Sequence, residues 1–191
     1  TLRVVVETTQ GDIFDPAYLA TLSKVNDELF LTPGVDRAWV KSIWMPVVRY
    51  TEVTEEGFAG GPVMPDTYDG SKASLELLRQ NITKAGLVGS LVANDFKSAM
   101  IVVPLLDVDP ASGNPIDYWA LSHAIEKNVR DKFETADGKY KVRVIGFAKI
   151  VGSLLDGILQ VMMYFVAAIL IAAAILYYFT RCVRSTSVVL L

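Results

Sequence analysis

The sequence predicts an α+β domain followed by a transmembrane α-helix, and three observations carry that reading. Nineteen consecutive residues, Val161 to Phe179, contain no charge, no proline and no glycine. The residues before them alternate β-branched runs with amphipathic helical stripes. Those strands and helices fall in the order β-α-β twice over.

The apolar run decides the class. A bilayer's hydrocarbon core is about 30 Å thick and takes about 20 apolar residues in a helix. Nine of the nineteen residues are Val, Ile, Leu or Phe. At roughly −0.3 to −0.6 kcal/mol each, they favour insertion by about 3 to 5 kcal/mol. A helix hydrophobic on all sides either spans a membrane or lies inside a large core, and the rest of this chain is too short to wrap one of that length. Arg181 and Arg184 follow the run, whereas Asp156 and Lys149 precede it. Positive charge marks the cytoplasmic side, so residues 1–148 are expected in the periplasm or outside the cell. Tyr164, Tyr177 and Tyr178 suit the interfacial aromatic belts.

The expected organisation is an extracytoplasmic domain over 1–148, a junction over 149–157 and a transmembrane helix over 158–180. A cytoplasmic turn over 181–187 and the start of a next transmembrane helix over 188–191 follow. The chain opens without methionine and closes on Val188-Val189-Leu190-Leu191, as a piece of a longer multi-pass polypeptide would.

Val4 to Glu7 reads as a first strand, closed by the turn-forming Gly11-Asp12. Asp15-Pro16 starts a helix, with Asp as N-cap and Pro at the first helical position. Tyr18, Leu22, Val25 and Leu29 then form one apolar stripe, and Pro33-Gly34 ends it. Val35 to Ile43 supplies a second strand, with Trp39 and Val40 among its packed residues. Residues 44–70 break the pattern as an irregular insertion or short hairpin, a length of loop that is usually functional or mobile. A helix runs from about Ser71 to Lys84, with Leu75, Leu78 and Ile82 on one side and Gly86 beyond its end.

Leu87 to Ala93 and Ser98 to Leu106 read as two strands joined by Asn94-Asp95-Phe96-Lys97. The continuous apolar run Ala99 to Val103 suggests a strand buried on both faces. After a loop at Pro110, Gly113 and Pro115, Asp117 to Phe133 forms an amphipathic helix on Leu121, Ile125, Val129 and Phe133. Glu126 and Arg130 support it at i, i+4. Asp137-Gly138 turns the chain into the alternating strand Tyr140 to Ile145. Two β-α-β halves point to a ferredoxin-like split βαβ sheet (β-α-β-β-α-β) with helices on one face, extended by the insertion. Gly146 to Ile158 leads into the apolar helix without a linker, which implies mechanical coupling; Gly146, Gly152 and Gly157 are the alternative, as hinges.

Charge excludes some partners. Residues 1–155 carry 16 basic and 20 acidic residues, well mixed, so no basic block points to nucleic acid. Cys182 is the only cysteine, which excludes an intrachain disulfide and a cysteine zinc site. Its place beside the cytoplasmic surface admits palmitoylation, though a bland juxtamembrane role is commoner. His123, the only histidine, has no ligand cluster at metal spacing and reads as a helix-surface residue. Asp107 and Asp109 have the proximity of a paired acid and base, but Pro110 and Gly113 behind them suit a surface turn better. Asp156 lies before the apolar run, at interface level, and so differs from acids within spans that carry protons. Ala168 and Ala172 have the spacing that lets membrane helices approach. No nucleophile elbow, phosphate-binding glycine loop or zinc-protease motif is present. No catalytic, metal or cofactor-binding residue is therefore assigned, no cofactor is expected, substrate-binding residues stay unassigned, and an enzyme is disfavoured.

Particular stretches carry a family resemblance. Gly146-Phe147-Ala148-Lys149-Ile150-Val151-Gly152 resembles the junction into the second transmembrane helix of the resistance–nodulation–division (RND) superfamily of exporters. Leu91-Val92-Ala93-Asn94-Asp95-Phe96-Lys97-Ser98 is similar to that family's porter-domain hairpin, and Pro33-Gly34-Val35 fits after the first helix. Arg181-Cys182-Val183-Arg184-Ser185-Thr186 fits its cytoplasmic turn. The likeness is closest to bacterial members grouped with the mycobacterial large membrane protein and hopanoid-exporter branch.

The resemblance implies a porter-type domain of a multi-pass protein of the bacterial inner membrane, driving proton-coupled export of hydrophobic or amphipathic molecules, lipid-like or drug-like. It implies as partners the lipid bilayer, that substrate and further transmembrane helices of the same polypeptide, and leaves a homo-oligomer open. The family's proton-relay residues belong to helices outside this sequence. Two other readings stay open: a protein-translocation accessory of the same superfamily, and a membrane-anchored sensor or assembly domain.

Overall fold

A computed structural model describes residues 1–55, 57–109, 113–135 and 138–181. Cys182, Arg184 and the 188–191 run lie outside the described residues, as does Asp137 of the expected turn. The fold is α+β, with two small antiparallel sheets and a long apolar helix at its C-terminal end.

The larger sheet has β1 (Leu2–Thr8) at its centre, between β4 (Ser98–Val103) and β5 (Tyr140–Gly146), both antiparallel to it. Alternation sorts its faces, because successive strand side chains point to opposite sides. Leu2, Val4 and Val6 of β1, Ile101 and Val103 of β4, and Val142 of β5 are buried on one face. Helix α1 (Pro16–Leu31) covers that face with Tyr18, Leu19, Leu22, Val25 and Leu29. Asp15 caps it as its sequence predicts, its carboxylate accepting the Ala17 N–H at 3.2 Å ahead of Pro16. Helix α3 (Tyr118–Ile125) adds Leu121 and Ile125 to the same core. It continues through a π-helical segment, Glu126–Arg130, into the short α4 (Asp131–Phe133). Asp117 caps α3 by accepting the Trp119 and Ala120 N–H groups.

Residues 44–70 contain a hairpin, β2 (Arg49–Thr54) paired with β3 (Gly57–Pro62). It packs against α2 (Lys72–Lys84), where the Asn81 side-chain amide donates to the Val63 carbonyl at 3.1 Å. Near the hairpin tip the cross-strand pair Val53 and Phe58 stands in solvent.

Three expectations need correction. Val35 to Ile43 is not a strand: it touches the β4 segment at two isolated bridges, Val35 to Leu105 and Lys41 to Val102, with a 3-10 turn at Arg37–Trp39 between them. That turn swings Trp39 outward to 63% exposure, so it does not pack, while Val40 is buried. Leu87 to Ala93 curls instead of extending, because the Leu91 and Val92 N–H groups both donate to the Leu87 carbonyl and Gly89 takes φ +84°. The β4 run is buried on alternate residues only, with Met100 and Val102 part-exposed on the sheet's other face.

One buried hydroxyl ties helix to sheet. Tyr18 Oη donates to the Val6 carbonyl at 2.6 Å and accepts the Ala99 N–H at 2.9 Å, joining α1 to the β1–β4 ladder. Tyr18→Phe removes both of these buried hydrogen bonds, and a loss of about 1 to 3 kcal/mol is expected in denaturant titrations in nonionic detergent. Burial pushes the Tyr18 hydroxyl well above its ordinary 10.0, against a smaller opposing pull from the Ala99 N–H. The unfolded chain therefore ionises first as pH rises past about 10. Stability is full below that pH and falls above it, and the Tyr18→Phe protein should lack that alkaline component.

Candidate functional site

Among the described residues one helix is long and apolar enough to cross a membrane, over Phe147–Phe179. It forms most of α5 (Phe147–Thr180), which begins at the residue after β5 ends. The expected junction at 149–157 is thus the first part of the helix itself. Gly146 makes the turn with φ 144° and ψ 171°. That region is nearly restricted to glycine. A Cβ there would also meet the Thr1 carbonyl oxygen at 2.8 Å and Leu2 Cα at 3.0 Å.

The first turns of α5 dock on α3 by an antiparallel ladder of contacts. Lys149 Nζ meets Glu126 Oε1 at 2.7 Å. One turn on, Gly152 is buried so closely against Ser122 that an added Cβ would lie 2.6 Å from both Ser122 Cβ and Oγ. One turn further, Asp156 Oδ1 accepts the Trp119 indole N–H at 2.9 Å, and Asp156 Oδ2 lies 3.5 Å from His123 Nε2. The Trp119 and His123 rings pack at 4.4 Å, and His123 Nδ1 lies 3.0 Å from the Trp119 carbonyl oxygen. Tyr118 and Phe147 add an edge-on ring contact at 5.8 Å. Beyond Gly152 the helix is exposed along most of its length, as at Ile158, Phe165 and Ile171, with Ala173 and Leu176 half-buried.

Each sequence-derived candidate among the described residues has a definite place. His123 sits on the helix surface as expected and gains Asp156 as a neighbour. Asp107 and Asp109 belong to a turn held by backbone bonds, Ile116 N–H to the Asp107 carbonyl and Gly113 N–H to the Asp109 carbonyl. Ala168 and Ala172 lie on the exposed length of α5. Gly152 and Gly157 interrupt nothing, since α5 runs continuously through both. Among the described residues, no group of three or more His, Cys, Asp or Glu is placed to hold a metal ion.

The roles of Trp119, Ser122, Glu126 and Lys149 at this junction were not singled out from sequence, yet a signal existed. Trp119, His123, Glu126 and Arg130 fall at i, i+4, i+7 and i+11, a polar stripe beside the apolar one. Lys149, Gly152 and Asp156 fall at i, i+3 and i+7, which puts them on one helix face.

Glu126 anchors the ladder's upper end. Burial works to raise its pKa, but the hydrogen bonds and charges of Lys149 and Arg130 outweigh that and hold the carboxyl below its ordinary value. Its contribution is present above about pH 4.5, the unfolded value, and is lost as pH falls through the lower folded value. Glu126→Gln should cost about 1 kcal/mol at neutral pH and remove part of the acid-induced loss in a pH series of denaturation midpoints.

No known family's sequence profile matches this chain, and no curated protein matches it significantly.

Proposed function

We propose that this chain is a segment of a proton-driven exporter of the RND type, contributing an extracytoplasmic substrate path and the helix that couples it to the membrane. The observation that carries the proposal is the junction: strand β5 passes into α5 through a single glycine, and α3 grips the first turns of that helix. Such a union suits a protein in which movement of a folded head must reach a membrane span, or the reverse.

The α5 segment Val161 to Phe179 is about 28 Å long at 1.5 Å per residue, close to the hydrocarbon thickness of a bilayer. Its all-round exposed apolar surface is what lipid covers. In this reading residues 1–148 lie outside the cytoplasm, the protein is a multi-pass component of a bacterial inner membrane, and its work is transport rather than covalent chemistry. The cargo is hydrophobic or amphipathic.

The split βαβ arrangement belongs to the same proposal. A β-α-β-β-α-β chain places its third and fourth strands antiparallel on either side of the first, which is the relation of β4 and β5 to β1. The bridges of Val35 and Lys41 lie on the outer side of the β4 segment, where the second strand of such a sheet would run.

A flexible Gly/Ser insertion between Gly146 and Phe147 of the full-length protein tests the reading. Export is expected to fall about tenfold or more while the protein still reaches the membrane. Undiminished export would overturn rigid coupling, and a reporter fused after Arg184 that is active outside the cell would overturn the orientation.

A further inference from the structure

The face of the larger sheet opposite the core carries a groove of about 620 Å³ with an unusual charge pattern. Arg3 of β1 stands in register with Val102 of β4, and Val102 bridges to Lys41. Directly opposed residues in a sheet share a face, and adjacent backbones lie about 4.8 Å apart. Arg3 and Lys41 therefore rise from the same surface about 10 Å apart, with Val102 between them. Arg49, at the start of β2, adds a third cation, and Met100 and Leu87 add apolar surface.

Among the described residues no carboxylate lines this groove. Among the described residues Arg3, Lys41 and Arg49 form no ion pair; Lys24, Arg37, Lys72, Lys97, Lys127 and Lys141 share that state, and what sets the three apart is that they converge on one groove. Glu7, on the same strand as Arg3, is paired with Arg143, and Glu52, on the same strand as Arg49, is paired with Lys84. An acid-free cluster of three cations in a chain of net charge −3 runs against the overall balance.

We infer that this groove binds an amphipathic anion, its phosphate or carboxylate head held between Arg3 and Lys41 and its apolar body lying on Met100 and Val102. The volume lies in the range of small-ligand sites, about 300 to 1,000 Å³, which combine an apolar lining with a few placed polar groups. A guanidinium offers a planar fork of donors that matches an oxyanion in two parallel hydrogen bonds. A neutral ligand would cover three cations without pairing them, which is costly. The inference deepens the export reading by naming the charge of the cargo, and rests on it only for the claim that what binds is carried.

The test uses the full chain in phosphatidylcholine nanodiscs and calorimetric titration with hexyl phosphate, against inorganic phosphate and hexanol as probes of head and tail alone. Saturable binding of hexyl phosphate is expected, at least about tenfold tighter than either probe. Arg3→Gln and Lys41→Gln should each weaken it about tenfold. Met100→Ser should weaken hexyl phosphate but not inorganic phosphate. Lys141→Gln, on the same open face but outside the groove, should leave binding unchanged and serves as the control for folding and bulk charge. Absence of binding, equal binding of hexanol, or unaltered affinity in the Arg3 and Lys41 variants would each overturn the inference. Because no transport is measured, that failure is distinct from failure of the export reading.

Discussion

Gly146→Val is expected to destabilise the chain by about 3 kcal/mol or more, the largest single effect predicted here. Two independent costs add. The backbone at φ 144° lies where a residue with a side chain pays about 1 to 3 kcal/mol. The new Cβ also falls within 3.0 Å of backbone atoms of Thr1 and Leu2, which cannot swing away as a side-chain tip does. Overpacking of that kind typically costs about 1 to 3 kcal/mol. Denaturant titration in nonionic detergent measures the sum, and Gly146→Ala, whose Cβ meets the same backbone atoms, should show both costs without the extra bulk of valine's methyls. A shift below about 1 kcal/mol for the valine variant would mean that β5 and α5 are joined less tightly than their geometry demands.

Gly152→Leu should be nearly as damaging, at about 2 to 4 kcal/mol, and for a different reason. Any Cβ at this position overlaps Ser122 Cβ and Oγ at 2.6 Å, so a leucine forces α3 and α5 apart. The bonds on either side then go with it, Lys149 to Glu126 above and Trp119 to Asp156 below. Pairing Gly152→Ala with Ser122→Gly exchanges the bulk between the two helices and should recover most of the loss seen in Gly152→Ala alone. A double-mutant cycle reads that recovery as a coupling energy. Additive single effects would show that the two residues do not share one packing volume.

The sequence spoke clearly wherever a local rule and the tertiary fold agreed. Asp15-Pro16 capped and opened α1, and the stripe Tyr18, Leu22, Val25 and Leu29 became the most buried face of that helix. Glu126 and Arg130 paired at 3.2 Å across one turn. Where apolar residues are buried without a ladder, periodicity misleads. Leu91 and Val92 are buried as strand residues would be, but in a curled segment whose N–H groups turn back to Leu87. Val35 to Ile43 failed similarly, because a 3-10 turn lifts its middle off β4 and sends Trp39 into solvent. The run Ala99 to Val103 looked doubly buried because Met100 and Val102 are apolar. Their part-exposure makes sense once the groove between Arg3 and Lys41 lies over them. The junction ladder was legible only in outline, since its polar stripe on α3 finds meaning only opposite Lys149, Gly152 and Asp156, and nothing local announces that meeting.

Because α5 runs unbroken for 34 residues from the sheet edge, it is a rod about 51 Å long, clamped on its first turns as far as Asp156. The residues beyond that clamp span about 36 Å, so a tilt of about ten degrees there sweeps the far tip sideways by about 6 Å. Small adjustments in the head are thereby magnified along the free length of α5. The same leverage works backwards: a sideways push on the far end of α5 arrives at β5, at the sheet's edge, as a twist.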